Sequence, residues 1–393
     1  MQRELNPFAP GSGRKPPAMT GRQLEIDDFD RIVARSKRRL NDRGLVLTGL
    51  RGVGKTVLLN FLHDHAARHG WFVVKMEGIP GAKGVSANRE KLARSLERGR
   101  REFTKKQTTA KIKNALKSIS SFSASVGVGG VEVGFEKSAL KNEPGTLEID
   151  LEELVRDLCV ALKSEGLAFG LFLDEMQDID GELLTALVTV QHIAGQNGWP
   201  FYIVGAGLPN LSAALGNVRT YAERLFDYHL IGPLTEAETR QALVEPAIAT
   251  GARFEDEAIE KLVEVSGGYP YFIQEFGKAI WDLAPQSPFT AHDAEAAINY
   301  GWQQLDAGFF PARWERATPV ERDLLVKMSS KSDTAVFAEN LVTELGVSKY
   351  EFDDLAATLT EKGLIYSPYF GVFEFTVSGM ADFVRRQTNR NAV

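Results

Sequence analysis

Apolar residues fall along this chain in two rhythms. Continuous short runs at 45–48 (LVLT), 71–77 (WFVVKME), 167–173, Phe201–Val204 and 228–234 (YHLIGPL) read as buried strands. Between them, TVLLNFLHDHAARH (56–69) and TLEIDLEELVRDL (146–158) repeat their apolar positions at helical spacing. The run from Leu167 to Leu173 is apolar throughout, as a parallel strand covered on both faces requires. Strands alternating with helices predict an α/β fold with a parallel sheet flanked by helices.

Further along, the strand rhythm stops. Residues 234–305 read as helix after helix with short turns, an all-helical unit of about four helices. From Thr318 three more helices are predicted, followed by a hairpin turning at Gly371. Two stretches interrupt the α/β part. Residues 87–118 read as one or two basic helices broken near Gly99, and residues 121–136 alternate around Gly129-Gly130 as a hairpin would. The organisation expected is therefore 1–232 as core with an insertion at 83–145, 233–310 as a helical lid, and 311–393 as a small C-terminal domain.

Composition narrows the class. No apolar run approaches the roughly 18 residues that a membrane span needs, and the first residues show no apolar core behind their charges, unlike a signal peptide. A single cysteine, Cys159, permits no intrachain disulfide and sits on an apolar helical face. Together these lead us to expect a cytoplasmic protein without a membrane partner. The net charge of −6 hides an asymmetry: Lys83 to Lys117 holds twelve basic residues against Glu90, Glu97 and Glu102. A basic segment on an acidic protein bears on partners rather than on fold.

Candidate chemistry begins at Gly49. Residues Gly49-Leu50-Arg51-Gly52-Val53-Gly54-Lys55-Thr56 match G-x-x-x-x-G-K-[ST], between a predicted strand and a helix that opens on Lys55 and Thr56, and Val57 after them is expected to border the nucleotide too. Glycines let backbone N–H groups converge on phosphate oxygens, the helix N-terminus adds its positive end, and Lys55 brings a mobile charge. Thr56 would hold Mg²⁺. Such a site needs an acidic partner on a neighbouring strand, and the run ending in Asp174-Glu175 supplies one. Asp174 is expected to orient the metal and Glu175 to act as general base on the attacking water. The expected ligands are ATP and Mg²⁺.

The phosphate loop, FLDEMQ (172–177), FYIVGAGLPNL (201–211) and SGGYPYFIQEFGKAIW (266–281) together resemble AAA+ and STAND-related P-loop ATPases, especially those similar to origin-recognition initiators. The resemblance implies ATP held between the sheet and the lid, a polar residue closing the strand after the acidic pair, and an arginine reaching into a neighbour's site. At the polar position stand Gly205, Ala206 and Gly207, with Asn210 the nearest amide. Arg224, just before the strand 228–234, matches the arginine finger. Gly268-Tyr269-Pro270 looks like the GxP turn of this group, so Pro270 and Tyr271 would border the adenine, and Arg22 would stand near the base. GGYPYF (267–272) has no arginine, so the basic sensor of many such lids is not expected there.

The resemblance also implies a switch or loader ATPase of slow turnover that forms homo-oligomers or works on a protein effector. The basic insertion lies where initiators carry a DNA-contacting element, and nucleic acid and protein contact both stay open for it. The C-terminal elements resemble a winged helix. Its would-be recognition helix carries Glu351, Asp353, Asp354 and Glu361 against Lys349 and Lys362, which suits protein docking or an intramolecular latch better than a groove lined with phosphates. A DNA-binding regulator with nucleotide as effector is the alternative. His63, His65 and His69 allow a metal reading, although a solvated helix end explains them with fewer ligands.

Overall fold

Strands β1 (Gly44–Thr48), β2 (Phe72–Glu77), β3 (Phe169–Asp174), β4 (Phe201–Gly207) and β5 (Phe226–Leu230) form one parallel sheet in the computed structural model, in the order β2-β3-β4-β1-β5. The structure describes residues 1–11, 13–81, 84–105, 109–127, 146–331 and 335–391. Every residue of β1, β3 and β4 is buried, so the sheet must be covered on both faces. Strand alternation divides the cover: Leu45 and Leu47 join the core under helices α1 (Gln23–Lys37) and α2 (Lys55–Arg68), while Val46 joins the opposite core. The opposite layer is built from α3 (Gly84–Thr104), α4 (Ala110–Ala115), α5 (Ser118–Ser125), α6 (Thr146–Ser164) and α7 (Gly181–Asn197). Helix α8 (Leu211–Val218) leads towards β5.

Three expectations change here. The acidic strand is not the immediate neighbour of the phosphate-loop strand, because β4 pairs with both β1 and β3 and lies between them. Helix α3 runs unbroken through Gly99, where a Cβ would come 2.9 Å from the Val73 carbonyl oxygen; the glycine serves close packing on β2, not a break. Finally, residues 121–125 belong to α5 rather than to a hairpin strand, since Ile119 and Phe122 turn to the core at helical spacing. The rest of that expected hairpin, from 128, lies outside the described residues.

After the sheet come α9 (Glu236–Ala249), α10 (Asp256–Ser266), α11 (Pro270–Leu283) and α12 (Ala291–Gln304). Capping boxes at Thr235/Glu238 and Thr290/Asp293 start the first and last of these. Their shared core also takes Phe8 from the start of the chain and Phe383 from its end. Phe8 fits because Gly277 has no side chain: a Cβ there would meet its ring at 2.6 Å.

A short helix, α13 (Pro311–Trp314), leads to α14 (Pro319–Lys331), α15 (Ala338–Leu345) and α16 (Lys349–Glu361). Strands β6 (Val336–Phe337), β7 (Ile365–Tyr366) and β8 (Val372–Phe375) form a small antiparallel sheet ordered β6-β8-β7, and this unit has its own core. The last helix, α17 (Met380–Asn391), returns to the helical unit, where Phe383 stacks on Phe310 at 5.2 Å and Arg386 pairs with Asp306 at 2.6 Å. Among the described residues no helix is long and apolar enough to cross a membrane.

Candidate functional site

The loop from Gly49 to Gly54 leaves the end of β1 and turns into α2. A Cβ at Gly49 would lie 2.2 Å from the Ile231 carbonyl oxygen, and Gly52 and Gly54 hold φ of 91° and 96°. Side chains are excluded at the first position by space and disfavoured at the other two by conformation. No side chain caps α2, so the amides of its first turn, around Lys55, Thr56 and Val57, are left for a ligand. Lys55 is 8% exposed and its ammonium donates to the carbonyls of Gly49 and Leu50, each at 2.8 Å. Burial pushes its pKa down to about 8, against the pull of Glu175.

Thr56 and Asp174 meet across the end of the sheet. The threonine hydroxyl hydrogen-bonds the buried Asp174 carboxylate, whose pKa burial raises in spite of that bond. A hydroxyl beside a buried carboxylate is a hard-oxygen donor set, and it fits a magnesium ion.

Glu175 is held differently. Its backbone is left-handed, with φ of 45°, unusual for a residue with a side chain. Arg51 Nη1 donates to one carboxylate oxygen at 3.2 Å and Gln177 Nε2 to the other at 2.6 Å. Gln177 in turn accepts from the Leu208 amide at 3.2 Å. The glycines at the expected polar position now have a reason. A Cβ on Gly207 would sit 2.5 Å from Gln177 Oε1, and one on Gly205 would sit 2.6 Å from Met176 Sδ. Side chains from the end of β3 occupy the space that β4 leaves empty. Gln177 is an amide bonded to the acidic pair, and the glycines on β4 leave room for it.

Arg51 also touches the C-terminal unit. Its amide donates to the Thr376 carbonyl at 2.9 Å, and a Cβ on Gly363 would come 3.0 Å from its guanidinium. Above the loop lies a cleft of about 370 Å³, walled by the loop, Arg22, the N-terminal segment around Pro10 and Met19, Pro270 and Tyr271 of α11, and Arg313 of α13. Volumes of this order suit a small-molecule ligand. Arg22 spends its donors on the carbonyls of Gly21, Val53 and Gly232 at 2.8 to 3.0 Å, tying the chain's start to the loop and to the strand exit. Pro270 opens α11 and faces Gly54, while the Tyr271 ring stacks on Phe309 at 4.6 Å. No pattern in the sequence pointed to Arg313.

Arg224 stands apart. It precedes β5, whose Phe226 pairs with Gly44 at the start of β1, so it is exposed at the end of the sheet opposite the loop. His65 and His69 are joined by Asp30, with ligand atoms within 4.8 Å. The Asp30 carboxylate already pairs with His65 at 2.6 Å and the Lys37 ammonium lies 3.2 Å from His69, so local partners account for these rings. Cys159 is buried and its thiol pKa is pushed up by burial, as for a structural residue. On the insertion, Arg94, Arg98, Arg101, Lys105, Lys111, Lys113 and Lys117 are exposed opposite the apolar face that packs on the sheet.

Residues 18–204 match the model of the AAA ATPase domain family, and residues 307–384 match a domain of unknown function, DUF8462. No protein of curated function matches. Among solved structures, the Walker-type ATPase PABY2304 of Pyrococcus abyssi is similar at 16% identity and a TM-score of 0.60, covering 97% of this chain and 99% of that one. The ADP form of the Aeropyrum pernix ORC2 protein is similar at 13% identity and a TM-score of 0.54, covering 99% and 98%. Identities this low speak for the shared fold alone.

Proposed function

We propose, from the premise that residues 18–204 are an AAA ATPase domain and the chain an ATP-hydrolysing P-loop enzyme, that it is a slow nucleotide-driven switch. The observation that carries this reading is the meeting of Thr56 with Asp174 beside Lys55 at the end of β1 and β3. The loop amides would receive the phosphates, and Lys55 would leave the Gly49 and Leu50 carbonyls for phosphate oxygens. Thr56 and Asp174 would hold Mg²⁺, which when bound neutralises charge on the phosphates. Pro270 and Tyr271 would close on the base, so that the lid follows the nucleotide.

Glu175 is the general base of this reading. Its carboxylate accepts the proton of the water that attacks the terminal phosphorus. Arg51 and Gln177 each donate to one of its oxygens, which aligns the carboxylate and leaves it lone pairs for the water. Arg224, remote from its own loop, has a use only in a neighbouring copy, which is the basis for proposing a homo-oligomer. The backbone bond from Arg51 to Thr376 supports a latch role for the C-terminal unit, which we read as winged-helix-like. The exposed basic face of α3 to α5 supports a second reading, contact with nucleic acid or an acidic protein; binding to short duplexes across a salt series tests it, and no binding at low salt removes the nucleic acid.

The deciding experiment compares Glu175→Gln with Lys55→Ala. The first should bind ATP without cleaving it and the second should not bind. Wild-type turnover in both ends the proposal.

A further inference from the structure

Asn88, near the start of α3, is a fully buried amide that bonds to two segments outside its own helix. Its Oδ1 accepts from the Ile79 backbone amide at 2.9 Å, and its Nδ2 donates to the carbonyls of Ile79 and Asp178, both at 3.1 Å. Ile79 follows the end of β2, and Asp178 lies in the turn that follows β3. One acceptor oxygen and two amide hydrogens are thus matched to one backbone N–H and two backbone carbonyls. An amide satisfied in this way fixes its partners, because letting either segment go would leave polar groups unpaired out of water.

The turn so held is the one that carries Glu175. The Glu175 backbone is left-handed, a conformation that a residue with a side chain keeps only where its surroundings hold it. Gly78 supplies one hold: its amide donates to the Asp174 carbonyl at 2.9 Å, and a Cβ on it would come 2.4 Å from the Glu175 carbonyl oxygen. Asn88 supplies the other at Asp178, whose own amide donates to the Glu175 carbonyl at 2.8 Å. The next residue of α3 strengthens the joint, since Arg89 pairs at 2.6 Å with Glu182 at the head of α7. Of this joint only Glu175 reaches the cleft above the phosphate loop. We propose that Asn88 is a positioning residue for hydrolysis: by joining the segments that follow β2 and β3, it fixes the turn that aims the Glu175 carboxylate at the attacking water. The inference rests on the general-base reading of Glu175.

The test measures single-turnover hydrolysis, and the dissociation constant for a non-hydrolysable ATP analogue with Mg²⁺, on the full chain in wild type, Asn88→Ala, Gly78→Ala and Leu96→Ala. Leu96, buried in the core on the same helix, is the control for lost stability. Misaiming a general base should slow hydrolysis about ten- to hundredfold in Asn88→Ala, with affinity for the analogue within about threefold. Gly78→Ala, which pushes on the Glu175 carbonyl directly, should show the same split between rate and affinity. Leu96→Ala should lower the melting temperature and leave the rate per folded molecule within about threefold. An Asn88→Ala chain that folds and hydrolyses at the wild-type rate overturns the inference. So does a loss of rate and affinity in step, or a loss of rate shared by Leu96→Ala, since either marks a residue that only supports the fold. Should Asn88→Ala not fold, Asn88→Ser decides by the same readings. If Glu175→Gln turns over like wild type, the general-base reading falls and takes this inference with it, whereas an inactive Glu175→Gln beside an indifferent Asn88→Ala defeats this inference alone.

Discussion

Thr56 with Asp174 and Arg51 with Glu175 are two halves of one site, built on opposite plans. Both pairs are in contact, but Asp174 of the first is buried among residues of the sheet core. The second pair, joined at 3.2 Å, is only partly buried, and each member is also bound to something else: Glu175 to Gln177, Arg51 to the C-terminal unit. The half proposed to hold the metal is thus complete where α2 meets the end of β3. The half proposed to activate water depends on how two distant parts of the chain sit together, which makes it the half where hydrolysis would be regulated.

The largest effect should come from separating the halves chemically. Glu175→Gln should lower phosphate release in single turnover by ~10²–10⁴-fold while ATP affinity stays within a few-fold. Asp174→Asn should do the reverse and lose Mg²⁺-dependent binding first. Matching losses of affinity in both variants would erase the distinction.

Acidity probes the metal-binding half next. Lys55 titrates near pH 8 in the free protein, and an anion favours its charged form. ATP affinity should therefore hold below that pH and fall by up to about tenfold per unit above it. The same depression has a sign for stability without nucleotide: the unfolded chain holds this proton to higher pH, so the Lys55 contribution rises as pH goes from about 8 towards 10.5. Lys55→Met should flatten that part of a denaturation series.

In the water-activating half, Gln177→Ala should lower kcat about tenfold at unchanged ATP affinity, the loss of one hydrogen bond to a charged group. Gly207→Ala should act in the same direction by displacing Gln177. An increase in kcat would show that the bond restrains Glu175 rather than aligning it. The smallest effect belongs to Arg224→Ala. Stability should change by less than ~0.5 kcal/mol, as for an exposed position, and activity should fall only at concentrations where chains associate. A loss at high dilution would place Arg224 in its own chain's site, against the strand register.

Much of this was legible before any fold was known. The loop from Gly49 to Thr56 and the acidic strand end each depend on a few adjacent residues, and the alternation of strands and helices follows from apolar spacing. Other signs misled. Gly99 read as a break because a glycine in a helix weakens it, but its value lies in contact with Val73 on another element. Gly205 and Gly207 read as a missing polar residue, though they are the room in which Gln177 and Met176 stand.

By itself, then, the sequence determined what is local: backbone conformation at the loop, the order of elements, and the chemistry at the end of β3. The tertiary structure alone decided which charges converge. It set β4 between the loop strand and the acidic strand, brought Thr376 and Gly363 to Arg51, and turned Arg313 into the cleft. The physical reason is reach. Torsional preference and periodicity act over a few residues of chain, whereas electrostatic coupling depends on distance through space and on burial, neither of which exists until remote segments have packed.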